Sequence, residues 1–450
     1  MNSSTASAIH KSHNDFRSQR TNPLDETRSS LIRATEKIAD HVFIKLTPKR
    51  ALAAAESSSQ RYALGNDLGL LDGITVVWKD LFDQTGELTT AGSKTRMEGP
   101  AAKTNATCVD LLESAGCCSL GKTNLSEFAF SGLGINPHFG TPSNAFFKDS
   151  KRIPGGSSSG SAVAVALNIA TIGIGTDTSG SVRVPAALNG IVGFRPTQTR
   201  YDRNGVFPLS SSLDTVGTFA RSVADVTIVD RVLSRFKPLG SFGRLDQTIF
   251  DLSENLETPW DGAIYDQYQA TLRAFESRGY KIEVRGLTSI QKTRRLFEEF
   301  GTLVAIEAKE LHKMVLEGPK RGLIDPVVAK RLNEVPKVSS LVYKEYCQQR
   351  AVAIDSARTE IGEAMVAFPT VPESASLLSE LIGSPSLAAE KNARMLSNTM
   401  IASFLDLPGI ALPTFNENCS VPGSILLSGA QGQDEALLRH ANNLQTDAAL

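Results

Sequence analysis

Gly155-Gly156-Ser157-Ser158-Ser159-Gly160-Ser161-Ala162 and Gly175-Thr176-Asp177-Thr178-Ser179-Gly180-Ser181 carry serines in two glycine-rich settings. Glycine lets a backbone turn sharply and approach a bound group closely. Two such turns, with Ser157 and Ser181 in fixed register, imply a site that works on an acyl group. Upstream, Ile74 to Trp78 is a short β-branched run and reads as a strand. Lys79 then stands at a strand's C-terminal end, where open α/β sheets place their ligands. Downstream, Ala162 to Ala170 reads as a buried helix leaving the first serine segment. Thr171 to Gly175 reads as the strand feeding the second.

Further out, the elements follow from spacing and punctuation. Leu31 to Leu52 mixes apolar and charged residues at helical spacing and predicts one or two helices. Cys108 to Ala115 is helical, Gly116 stops it, and Cys118 to Leu120 is a strand. The same helix, glycine, strand phrase recurs at Ala270 to Phe275, Gly279 and Ile282 to Val284. Ser222-Val223-Ala224-Asp225 has the form of a capping box that opens a helix to Leu233. Residues 285 to 365 are charged and periodic, mostly helix. Phe368 to Pro372 breaks that pattern as a pocket-lining strand and turn. Strands are expected at Leu407 to Pro413 and Gly423 to Leu427, and a closing helix at Asp434 to Leu444. Residues 1–25 are expected to be a polar, mobile arm, and residues 26–450 the folded domain.

The chain has 450 residues, 41% hydrophobic and 21% charged, with formal net charge −1. That balance gives no basic surface for nucleic acid or an anionic membrane. No apolar stretch is long enough to span a bilayer, and the start lacks the apolar core of a secretory signal. Five cysteines, Cys108, Cys117, Cys118, Cys347 and Cys419, have no metal-ligand spacing. Their odd number suits reduced thiols and a cytoplasmic setting. Cys117 and Cys118 read as core packing at a helix-to-strand turn. No metal or cofactor is expected.

Other readings of the serine segments fit less well. A Gly/Ser linker would not lead straight into Ala162-Val163-Ala164-Val165-Ala166-Leu167. A phosphate loop would end in Gly-Lys-Ser/Thr, which is missing. Gly156-Ser157-Ser158-Ser159-Gly160 fits a nucleophile elbow with Ser158 as nucleophile. That motif needs a preceding strand, whereas Lys148 to Arg152 is polar. It also needs a later catalytic histidine, and only His312 and His440 follow. All six histidines read as surface or packing residues, with His138 nearest the site.

Several phrases accompany the serines in order. They are Gly73 to Asp80, Gly121-Lys122-Thr123-Asn124-Leu125-Ser126-Glu127-Phe128, Asn136-Pro137, Gly140-Thr141 and Asn144. Arg183 to Ala187, Gly190 to Thr197 and Asp214-Thr215-Val216-Gly217 complete the set. Together they resemble the amidase signature family, strongly over residues 73 to 223 and more weakly to about residue 440. The resemblance implies an α/β fold, a single large domain with a mixed, twisted β-sheet covered by helices on both faces. It implies hydrolysis of a small linear or aryl amide to acid and ammonia or amine. By motif match Lys79 is the base, Ser157 the bridge, in a cis peptide bond after Gly156, and Ser181 the nucleophile that forms an acyl-enzyme.

A serine hydroxyl needs a base at neutral pH, and lysine serves when burial lowers its pKa. Backbone N–H groups of Thr178, Ser179, Gly180 and Ser181 are candidate oxyanion donors. By the same resemblance, through Thr123-Asn124 and Asn136, Ala129 is expected to contact substrate, and Ser158 joins it as a substrate-binding position. Asp80, Asp177 and Arg183 are expected to orient the site rather than react. The expected partner is a small-molecule amide, without nucleic acid or membrane, and a homodimer stays open. Two alternatives remain. One is an A-type catalytic subunit of a glutamyl/aspartyl-tRNA amidotransferase, which needs a second protein. The other is a non-catalytic binding protein on this fold.

Overall fold

The computed structural model describes residues 7–235, 246–256, 259–414 and 419–445. Eleven strands among these residues form one sheet: β1 (Phe43–Leu46), β2 (Thr75–Lys79), β3 (Cys118–Thr123), β4 (Ile172–Asp177), β5 (Val192–Arg195), β6 (Thr215–Ala220), β7 (Thr248–Asp251), β8 (Lys281–Val284), β9 (Met365–Pro369), β10 (Gly409–Thr414) and β11 (Gly423–Ser428). Their order is β1-β3-β2-β4-β6-β5-β10-β11-β9-β7-β8. β2 is parallel to β3 and β4, and β7 is parallel to β8 and β9. The remaining pairs are antiparallel, so the sheet is mixed.

β2 shows how the sheet is covered. All five of its residues are buried. Val76 and Trp78 pack in one apolar cluster with Ile172 and Ile174, while Val77 packs in another with Leu120, Val163 and Ala164. Successive strand side chains point to opposite faces. Both faces are therefore buried, and a strand so placed reads as a continuous apolar run rather than an alternating one. Lys79 shares its face with Val77, which meets the helix Ser159–Ala166. Alternation thus aims Lys79 toward the loop in front of that helix, where Ser157 lies.

Most local expectations hold. The helix Thr107–Ser114 gives way at Gly116 (φ 94°), and β3 follows. The helix Gly262–Ser277 gives way at Gly279 (φ 87°), and β8 follows. Residues 285 to 365 are largely helical, and the closing helix is Asp434–Gln445. Cys117 and Cys118 are buried at the turn between helix and strand. No helix among the described residues is long and apolar enough to cross a membrane.

Two expectations are corrected. Leu31 to Leu52 is not all helix. β1 lies between the helices Pro23–Arg33 and Pro48–Ala63 and pairs with β3, Lys45 opposite Lys122. The sheet offered this four-residue segment an edge, and pairing outweighed local spacing. The N-terminal arm is not free either. Ala8–Arg17 is a helix that buries Ile9, His13 and Phe16, while residues 1–6 lie outside the described residues. Ser222 Oγ accepts Asp225 N–H at 3.1 Å, as a cap should. The Asp225 carboxylate does not reach back to close a box. It accepts Ser7 Oγ (2.6 Å), Ala8 N–H (3.1 Å) and Ile9 N–H (3.0 Å), so it caps the first helix instead.

Candidate active site

The first serine loop is assembled by backbone contacts from several segments. The Gly156–Ser157 peptide bond is cis, as the resemblance implies. Gly156 N–H donates to Gly132 O (2.7 Å), and a side chain at Gly156 would collide with the Gly134 backbone. Ser126 N–H donates to Ser157 O at 3.2 Å, which ties the Ser126–Phe130 segment to the bridge position. In that segment Phe128 (φ 52°) and Ala129 (φ 60°) are both left-handed. Consecutive non-glycine residues there are sterically costly and mark a turn held by its surroundings.

The second loop is organised by Asp177, at the end of β4. Its carboxylate accepts Gly180 N–H (2.8 Å), Val182 N–H (3.1 Å) and Arg183 N–H (3.3 Å). It also accepts Arg183 Nε (3.0 Å) and Nη2 (2.8 Å). Burial works against its charge, but Arg183 and Arg195 outweigh that and hold it well below the usual carboxylate range. Asp177 and Arg183 therefore shape the loop, as expected from sequence. One expected oxyanion donor is corrected: the Gly180 N–H is already committed to Asp177. Thr178, Ser179 and Ser181 N–H have no acceptor among the described residues. Next to this loop, Thr178 Oγ1 donates to Asp214 Oδ1 at 2.6 Å.

Lys79 joins the two loops. It is fully buried, and its Nζ donates to Ser157 Oγ (2.7 Å) and Thr176 Oγ1 (2.8 Å). Burial pushes its pKa down to about 7, against the opposing pull of Asp214 and Asp177. An amine in that state is a base at neutral pH rather than a fixed cation. Ser158 N–H donates to Ser181 O at 3.3 Å, which brings the loops edge to edge. The Ser181 hydroxyl makes no hydrogen bond among the described residues, and the residue keeps 4% exposure. The Ser158 hydroxyl is fully buried and donates to Thr176 O at 3.2 Å, turned into the sheet. An elbow nucleophile would be exposed. Asp80 is paired with Lys122 (2.6 Å) and touches Thr90, so it does not contact Lys79.

The histidines stand apart from the serines. His13 meets Tyr62, and His440 meets Tyr280. His138 Nε2 lies 3.2 Å from Glu127 Oε1. His312 stacks on Phe128 at 4.5 Å and on Phe207 at 5.8 Å. Sequence reasoning missed Thr176 as a partner of Lys79 and Asp214 as a partner of the second loop. It also missed His312 as a wall behind Phe128. The contacts of Asp214 and His312 are long-range and leave no local pattern. Thr176 was visible only as the residue before Asp177.

The sequence model of the family "Amidase" matches residues 25–241. The chain is 30% identical over 397 residues to 2-amino-5-chloromuconic acid deaminase of Comamonas testosteroni, covering 86% of this chain and 84% of that one. It is 43% identical over 219 residues to the A-type subunit of a glutamyl-tRNA(Gln) amidotransferase from Aromatoleum aromaticum. That match takes in 49% of this chain and spans 44% of the relative, less than half its length. A crystal structure of an amidase superposes with a TM-score of 0.86 at 27% identity, over 97% of this chain and 99% of that one. A mixed sheet flanked by helices, the ordered motifs and the near full-length likeness to the deaminase and to the crystallised amidase agree, and the chain belongs to the amidase signature family.

Proposed function

We propose that this protein is an amidase that hydrolyses the C–N bond of a small carboxylic amide. The observation that carries the reading is the 2.7 Å hydrogen bond between buried Lys79 Nζ and Ser157 Oγ, in a loop whose Ser158 N–H donates to Ser181 O. Neutral Lys79 takes the Ser157 proton while Ser157 takes that of Ser181. Ser181 Oγ attacks the carbonyl carbon. The oxyanion is met by Thr178, Ser179 and Ser181 N–H, each such donor worth about 3 to 4 kcal/mol in related chemistry. The relay then runs backward and protonates the departing nitrogen. Water attacks the acyl-Ser181 ester, and the acid leaves.

Ala129, two residues beyond Glu127, is the wall position for the substrate. The five cysteines are free thiols, which supports a cytoplasmic setting. The test is ammonia release by the isolated chain across an amide library, with a fluorophosphonate probe applied in parallel. Release and labelling at Ser181 support the reading; neither would return the chain to a non-catalytic binding role.

A second reading is favoured by one observation, the 43% identity to an amidotransferase's A-type chain over about half of this one. In that role the chain works with a partner protein and passes ammonia on. Ammonia release that depends on added amidotransferase partner proteins would select it.

A further inference from the structure

A cycle can begin only when Lys79 is neutral, so its ammonium form must be able to return a proton to solvent, yet Lys79 is completely buried. Its two hydrogen-bond partners differ in where they lead. Ser157 faces the reaction, whereas Thr176 lines a solvent-open cavity of about 520 Å³. Thr199, Asp202, Arg203, Ser211 and Asp214 are among its other walls. A polar space of that size holds many waters. Thr176 Oγ1 accepts from Lys79 Nζ at 2.8 Å, so its own O–H is left to donate, and no acceptor for it exists among the described residues. Thr176, itself nearly buried, thus touches both the buried amine and the cavity.

We propose that Thr176 is a proton relay connecting Lys79 to the solvent of this cavity. The proposal rests on Lys79 acting as the base. In the step, an N–H bond of the Lys79 ammonium breaks and its proton passes to Thr176 Oγ1. The original hydroxyl proton passes to a cavity water, giving hydronium that bulk buffer neutralises. The products are a neutral amine and a neutral hydroxyl. Rotation of the hydroxyl resets the relay.

The charged groups around Lys79 are consistent with exchange at this point. Asp177 on β4 and Asp214 ahead of β6 attract the ammonium. Arg183 and Arg195 are turned to Asp177, and Asp80 is held by Lys122 of β3. Residues 153–166, the first serine loop and its helix, contain no charged side chain.

The experiment compares kcat, KM and the solvent deuterium isotope effect over pH 6–9 for Thr176→Ser, Thr176→Ala, Thr176→Val and the cavity-wall variant Thr199→Trp. A relay requires the order Ser, then Ala, then Val. Serine keeps the hydroxyl, alanine leaves room for a water, and valine fills the space with a methyl. Thr176→Val is expected to lower kcat by about tenfold or more, with KM within about twofold and a larger isotope effect than the wild type. A packing role gives the opposite order, since valine best matches threonine in shape. Thr176→Val at wild-type rate, or Thr176→Ala worse than Thr176→Val, would overturn the relay. Thr199→Trp should lower kcat, and an unchanged rate would overturn the cavity as the route. Lys79→Ala and Ser181→Ala run alongside. If they stay active, the proposed function itself fails. If they are inactive while Thr176→Val is normal, only the relay fails.

Discussion

Asp177 grips Arg183 through both Nε, at 3.0 Å, and Nη2, at 2.8 Å, across the turn that carries Ser181. Both side chains are fully buried, and Arg195 Nε approaches the same carboxylate at 3.8 Å. Asp177→Asn would leave a buried guanidinium without its carboxylate and loosen the Gly180 N–H. Breaking such a pair costs about 3 to 5 kcal/mol. Urea unfolding should show a loss of that order, and kcat should fall more than KM rises. A variant of wild-type stability would show that Asp177 does not organise this loop.

Lys79→Ala should lower kcat by several orders of magnitude, and His138→Ala should retain most activity. Steady-state assays of the two variants check this, and the reverse result would move the base to histidine. The wild-type rate should rise with pH through about 7, where the folded Lys79 loses its proton. The same shift makes a second observable. The folded pKa lies below the ordinary 10.5, so between about 7 and 10.5 the unfolded chain binds the extra proton. Stability should therefore gain a component that increases with pH across that window, absent in Lys79→Met.

Fluorophosphonate labelling followed by peptide mapping should mark Ser181. Ser181→Ala should abolish labelling. Ser158→Ala should keep it, losing only a buried hydrogen bond worth about 1 kcal/mol. Ser157→Ala should suppress both labelling and turnover, because Lys79 then has no hydroxyl through which to reach Ser181. Labelling found at Ser158 would contradict the assignment.

Glu127 is buried at the base of the Phe128–Ala129 turn, and its Oε2 accepts Asp325 N–H at 2.6 Å. Burial lifts its pKa from 4.5 to about 7. The folded form therefore holds the extra proton between those values, and stability falls as pH rises across them. Burial also lowers the pKa of nearby His138, which weakens it as a cationic partner for Glu127. Glu127→Gln keeps an oxygen for Asp325 and removes the buried charge. It should raise stability by about 1 to 3 kcal/mol at pH 8 and by little at pH 5. Thermal unfolding at the two pH values measures this, and equal effects at both would refute it.

How far the sequence could be read depended on how local each signal was. Lys79 was legible because β2 is a continuous apolar run that ends on it, and both serine loops announce themselves in glycine. The commitment of Gly180 N–H was not legible, although Asp177 is three residues away, because an aspartate can turn its carboxylate either way. Asp225 shows the same ambiguity. Its spacing from Ser222 suits a capping box, but its carboxylate is taken by Ser7, Ala8 and Ile9 from the far end of the chain. β1 was hidden because four residues at a sheet edge carry too little pattern to stand out between two helices. His312 could not be placed, since its neighbours Phe128 and Phe207 are far from it in sequence.

The Asp225 cap makes the unit that folds larger than the stretch in which the family is recognised. A chain cut back to residue 25 keeps the whole of residues 25–241. It would nevertheless strip the Asp225 carboxylate of three donors and uncover the surfaces that Ile9 and Phe16 fill. Losing those hydrogen bonds together with the apolar packing is costly in a way that an exposed arm's removal is not. Homology therefore marks where the chemistry is shared, whereas the cooperative body reaches beyond it and takes in Ser7 to Phe16.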